Sequence, residues 1–99
     1  MTRDPIDQAY FDAGLLDIAQ LAAAIKQYGL TVVDYLLMMD EQEARCRICR
    51  AKPQGRLCVD HDHATGKVRG LLCNRCNRVL GSMEDNPVWL RRAAEYLES

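Results

Sequence analysis

Between Pro5 and Tyr28, the apolar residues Leu15, Ile18, Leu21, Ile25 and Tyr28 recur every three or four positions. That period marks one face of a helix. Asp4 before Pro5 reads as a cap with proline at the first helical position, Gly14 as an interruption and Gly29 as the stop. Thr31 with Asp34 three residues on is a variant capping box. It opens a second helix over about Val32 to Glu43, with Val33, Leu36, Leu37 and Met39 expected toward a core. The pattern then changes. Cys46 to Pro53 has the character of a knuckle and turn, and Arg56–Asp60 and Lys67–Leu71 read as short strands around an Ala64-Thr65-Gly66 loop. Asn74–Leu80 suits a short helix ended by Gly81. Asn86-Pro87 caps a last helix, Val88–Leu97, whose apolar stripe is Val88, Leu90, Ala94 and Leu97.

The expected fold is a small, mainly helical α+β chain in three parts. Residues 1–44 form a helical region, 45–82 a hairpin and helix inside a cysteine frame, and 83–99 a closing helix. Ninety-nine residues bury too small a core to dispense readily with a staple or an oligomer partner. No apolar run reaches the roughly 18 residues a membrane span needs. The N-terminus lacks the basic-then-apolar order of a secretory signal, so the expected location is cytoplasmic. There, cysteines serve more often as metal ligands or free thiols than as disulfides.

The net charge of −1 conceals a division. Residues 1–44 hold eight acids against Arg3 and Lys26, a net of −6, whereas residues 45–82 hold nine bases against Asp60 and Asp62, a net of +7. A basic centre of this kind suits a polyanionic partner. A charged, solvated surface is the alternative.

Cys46 and Cys49 form one C-x-x-C and Cys73 and Cys76 another. Two such pairs supply the four thiolates of a structural zinc site. Four unrelated reduced cysteines, or an iron–sulfur centre, are the weaker alternatives. Four sulfurs fill a tetrahedral site and leave no position for water, so this metal holds the fold and does no chemistry. Cys58 stands outside both pairs and reads as a small hydrophobic strand residue.

Both histidines lie in Val59-Asp60-His61-Asp62-His63. A polar turn without a task would explain one such pair. Two pairs beside a thiolate frame suggest more. A strand-end aspartate and an asparagine on the following helix offer oxygens to a hard cation such as magnesium, and a neighbouring imidazole can act as general base on water.

The segments C-R-I-C (46–49), V-D-H-D-H (59–63), G-K-V-R-G-L-L-C-N-R-C-N (66–77) and Y-G-L-T (28–31) together resemble the recombination endonuclease VII family, a branch of the HNH or ββα-metal nucleases. The resemblance implies structural zinc on Cys46, Cys49, Cys73 and Cys76. It also implies magnesium, replaceable by manganese, on Asp60 and Asn77, with His61 as general base. His63 would position the scissile phosphate and Asp62 would support the site. Arg69, Arg75 and Arg78 are candidate phosphate contacts by charge and location. Family members can carry a glutamate three residues after the asparagine, where this chain has Leu80.

The leading expectation is a small metal-dependent DNA endonuclease, phage-encoded and acting in the host cytoplasm on nicks, junctions or packaging intermediates. The alternatives are a zinc-stabilised binding module on the same scaffold and a structural zinc protein working through its acidic helices. Beyond DNA, the expected partners are a second copy through the N-terminal helices and a protein that meets the acidic segment.

Overall fold

The computed structural model describes residues 18–99, in the order α1 (Ile18–Lys26), α2 (Val32–Glu41), β1 (Cys58–His61), β2 (Val68–Leu72), α3 (Asn74–Ser82) and α4 (Pro87–Glu98). The expected helix over residues 5–17 lies outside the described residues. Thr31 does cap α2: its Oγ1 accepts from the Asp34 amide at 3.1 Å, while Asp34 Oδ2 accepts from the Thr31 amide at 2.8 Å. The reciprocal pair satisfies two N–H groups that the first helical turn leaves open. Asn86 caps α4 through Oδ1, accepting from the amides of Val88 and Trp89.

One core joins α1, α2, the hairpin and α3. Leu21 and Ile25 from α1 and Tyr35 and Met39 from α2 meet Cys46, Leu57, Leu71, Leu72 and Cys76. The apolar face of α2 is the expected one only in part, with Met39 buried and Leu36 packed against the core. Tyr35 and Met39 are buried, whereas Val33 and Leu37 are 64% and 62% exposed. Residues two apart lie roughly 200° around a helix, so the two pairs occupy opposite ridges. The Tyr35 hydroxyl is accommodated because it donates to the Leu57 carbonyl at 2.7 Å.

β1 and β2 pair antiparallel, Cys58 with Leu72, Val59 with Leu71 and Asp60 with Gly70. The next pair is His61 with Val68, so Arg69 is an extra residue bulged from β2. Both strands lie slightly later than the pattern predicted. The turn between them is set by Asp62, whose Oδ1 accepts from the amides of Ala64 and Thr65 at 2.8 and 3.2 Å. These two backbone donors, the Ala64 amide foremost, hold the Asp62 carboxyl below its ordinary range. Along β2, the buried Gln42 at the end of α2 accepts from the Leu71 amide and donates to the Leu71 carbonyl. At Gly70 a Cβ would meet Arg47 Cδ at 2.8 Å, so the Arg47 side chain crossing this strand would have to shift for any larger residue.

Gly81 does not end α3, which runs to Ser82 and caps at Met83. A helical glycine costs about 1 kcal/mol, which the closing bonds here offset. The Glu84 amide donates to the Gly81 carbonyl and the Asp85 amide to the Leu80 carbonyl, with Glu84 and Asp85 both at φ 54°. This is a Schellman closure made without glycine. α2 ends the same way through Glu43 and Ala44. α4 buries no residue, and of its expected stripe Val88 is 44% and Leu97 82% exposed.

Candidate functional site

Two C-x-x-C pairs come from separate pieces of chain. Cys46 and Cys49 sit on the knuckle after α2, while Cys73 is the N-cap of α3 and Cys76 lies in its first turn. In the knuckle, the Arg50 amide donates to the Cys46 carbonyl and the Cys46 amide to the Ala51 carbonyl. The four sulfurs lie within 4.8 Å of one another, Cys49 Sγ and Cys73 Sγ at 3.8 Å. A tetrahedron with zinc–sulfur bonds of about 2.3 Å has edges of about 3.8 Å, so the donor set and its spacing both fit structural zinc.

The surroundings act in opposite senses on two of the thiols. Burial acts to raise the Cys46 thiol, but the backbone amides of Cys73, Cys49 and Ile48 outweigh it and bring the group down to about 6. Cys76 is pushed up to about 12 by burial and by the neighbouring thiols. Arg75 belongs to this end of the molecule: its guanidinium interacts first with Cys49, which holds it more firmly protonated. Cys58 takes no part in the cluster, and burial raises its thiol.

Of the other expected residues, Asp60, His61, His63 and Asn77 converge on a cleft of about 200 Å³ lined also by Tyr28, Val59, Gly81 and Asp85, while Asp62, Arg69 and Arg78 do not line it. β1 ends at His61, Asn77 comes from α3, and Tyr28 follows α1. Neighbours in a regular strand face opposite sides. Here Val59, Asp60 and His61 all line the cleft, beside the point where the pairing with β2 shifts register. The rings form a row, Tyr28 to His61 at 5.1 Å and His61 to His63 at 4.8 Å, each pair tilted.

Asp60 is 8% exposed. Its two oxygens accept from Arg69 at 2.7 and 2.9 Å, a two-pronged charge-assisted contact. Asp60 is the first cause of the upward shift of the Arg69 guanidinium. Arg69, expected on phosphate, is therefore engaged with carboxylates, Asp60 and more distantly Asp85 at 3.4 Å. Arg78 is exposed on α3 and makes no ion pair among the described residues. A carboxylate offers about four acceptor positions, and Arg69 uses two of those on Asp60. The rest, with the Asn77 amide oxygen in the same cleft, fit a hard cation.

Two members of this cleft escape a reading of spacing. Tyr28 reads as a core-facing helix residue, although it stands in the Y-G-L-T segment. Asp85 sits in an Glu84-Asp85-Asn86-Pro87 run that reads only as a helix start. His63 Nδ1 lies 2.8 Å from Asp85 Oδ2, a contact across 22 residues that no local pattern announces. Leu80 has no part in the cleft and packs against the core.

The sequence profile of recombination endonuclease VII matches residues 22–99. The Gene 59 proteins of Mycobacterium phages D29 and L5 are each 47% identical over 73 residues, covering 71% of this chain and 44% of theirs. The chain thus spans less than half the length of these curated relatives. No solved structure matches it with significance. With a profile match over most of its length, and with the cysteine pairs and the V-D-H-D-H segment inside that match, the chain belongs to the recombination endonuclease VII family.

Proposed function

We propose that this protein is an HNH-type endodeoxyribonuclease that hydrolyses a phosphodiester bond with a histidine base and a divalent cation. The observation that carries this reading is the shared cleft, where a nearly buried carboxylate, an amide oxygen and two imidazoles meet. Asp60 and Asn77 would hold the cation. A bound magnesium ion would offset negative charge on the phosphate and on the leaving oxygen. His61 takes the proton from the attacking water, its ring steadied between Tyr28 and His63. His63 contacts the scissile phosphate, and Arg78 supplies a further positive charge along the DNA. The four cysteines would hold zinc and so fix the α3 end that carries Asn77. Family membership and the basic stretch 45–82 support DNA as the substrate. The phage relatives support a phage enzyme acting on junctions, nicks or packaging intermediates in the host cytoplasm.

The test is plasmid and branched-DNA cleavage with magnesium, with manganese and with chelator, under single-turnover conditions. His61→Ala should lose about 10²–10⁴ in rate while binding DNA as the parent does. Cleavage by His61→Ala at the parental rate would overturn the histidine base, and a parent that binds DNA without cutting it would instead leave a binding module on a nuclease scaffold.

A further inference from the structure

We propose that Asp85 is a positioning residue for His63, fixing which ring nitrogen is left to meet the DNA. The inference rests on the cleavage reading above for its catalytic consequence, but the pairing itself does not.

The His63 side chain is 72% exposed, so packing does little to hold it. Its described anchors are the tilted contact with His61 and the 2.8 Å bond from Nδ1 to Asp85 Oδ2. The Asp85 carboxyl is held below its ordinary range, first by this bond with His63 and further by the charge of Arg69. An ionised carboxylate only accepts hydrogen bonds. Nδ1 must then carry the hydrogen whatever the charge of the ring, and Nε2 is the nitrogen left for phosphate. An Asp–His pair that sets tautomer and orientation is a recurrent arrangement at catalytic imidazoles.

Asp85 is carried to His63 by the closure of α3, in which Glu84 and Asp85 both lie in the left-handed region. The same carboxylate oxygen lies 3.4 Å from Arg69, which also grips Asp60. Asp85 thus joins the α3 terminus to both ends of the cleft.

The test uses the full zinc-loaded chain. Nitrogen-15 correlation spectra of the histidine rings, recorded without DNA, should show His63 as the Nδ1–H form in the parent. In Asp85→Ala that signature should be lost. Asp85→Asn keeps an acceptor oxygen and tolerates the left-handed backbone, and it should restore the signature and most of the rate. Single-turnover cleavage by Asp85→Ala should fall on the order of tenfold or more, with DNA affinity unchanged. In a His63→Ala background, Asp85→Ala should add no further loss. An unchanged His63 spectrum in Asp85→Ala, or an equal rate loss with His63 already absent, would overturn the proposal. If the parent chain does not cut DNA, the cleavage reading fails and the spectra still decide the pairing.

Discussion

The phenol of Tyr35 is buried among aliphatic side chains, and burial pushes its ionisation up to about 12. Its hydroxyl is the donor to the buried Leu57 carbonyl region just before β1. Tyr35→Phe would leave that carbonyl without its partner, and the expected loss is about 1–3 kcal/mol of stability. Urea unfolding of the two proteins measures it, and coincident curves would show that the bond contributes nothing. Residues whose partners lie within three positions were legible in the sequence. Thr31 with Asp34, and Asn86 at the start of α4, are read from local spacing because capping is a local event. Tyr35, Gln42 and Asp85 were not, since their partners stand 22, 29 and 22 residues away. Pairing across that distance depends on the fold, and single-residue patterns carry no record of it.

At the scale of elements, the cysteine cluster binds a knuckle to the base of α3, and the hairpin between them has only two strands. A two-stranded hairpin is marginal by itself in water. Zinc in a four-thiolate site contributes on the order of 10 kcal/mol to a small fold. A strong chelator should therefore lower the melting temperature sharply and reduce the helical signal in circular dichroism. An unchanged melt, together with purified protein that contains no zinc by elemental analysis, would refute the metal frame. Every element from α1 onward was foreseen in kind and order, because apolar period and cysteine spacing are strong signals. The buried face of α2 was foreseen only in part. Met39 is buried and Leu36 packs against the core as expected, but Val33 and Leu37 look as suitable and stay exposed, while Tyr35 is buried with its hydroxyl on the Leu57 carbonyl.

Across the whole molecule, the apolar residues that the core leaves out lie on α4 (Val88, Trp89, Tyr96 and Leu97), at Ile48 and Val79, and on the two N-terminal helices. Ile18, Val33 and Leu37 remain largely exposed, and we infer that a second copy covers them. Light scattering at micromolar concentration should give twice the 11.2 kDa of one chain, and Val33→Asp with Leu37→Asp should return it to a monomer. A parent that scatters as a monomer would count against that interface and leave the acidic helices to another protein. No helix among the described residues is long and apolar enough to cross a membrane. The side chain of Gln42 bears on association of a different kind. Both hydrogen-bonding groups of Leu71 on the outer side of β2 are taken, the amide by Gln42 Oε1 and the carbonyl by Gln42 Nε2 and the Arg47 amide. An open strand edge is a template for pairing with other chains and for aggregation. Here one glutamine amide stands in for the missing third strand, so at Leu71 the hairpin has nothing left to offer a growing sheet.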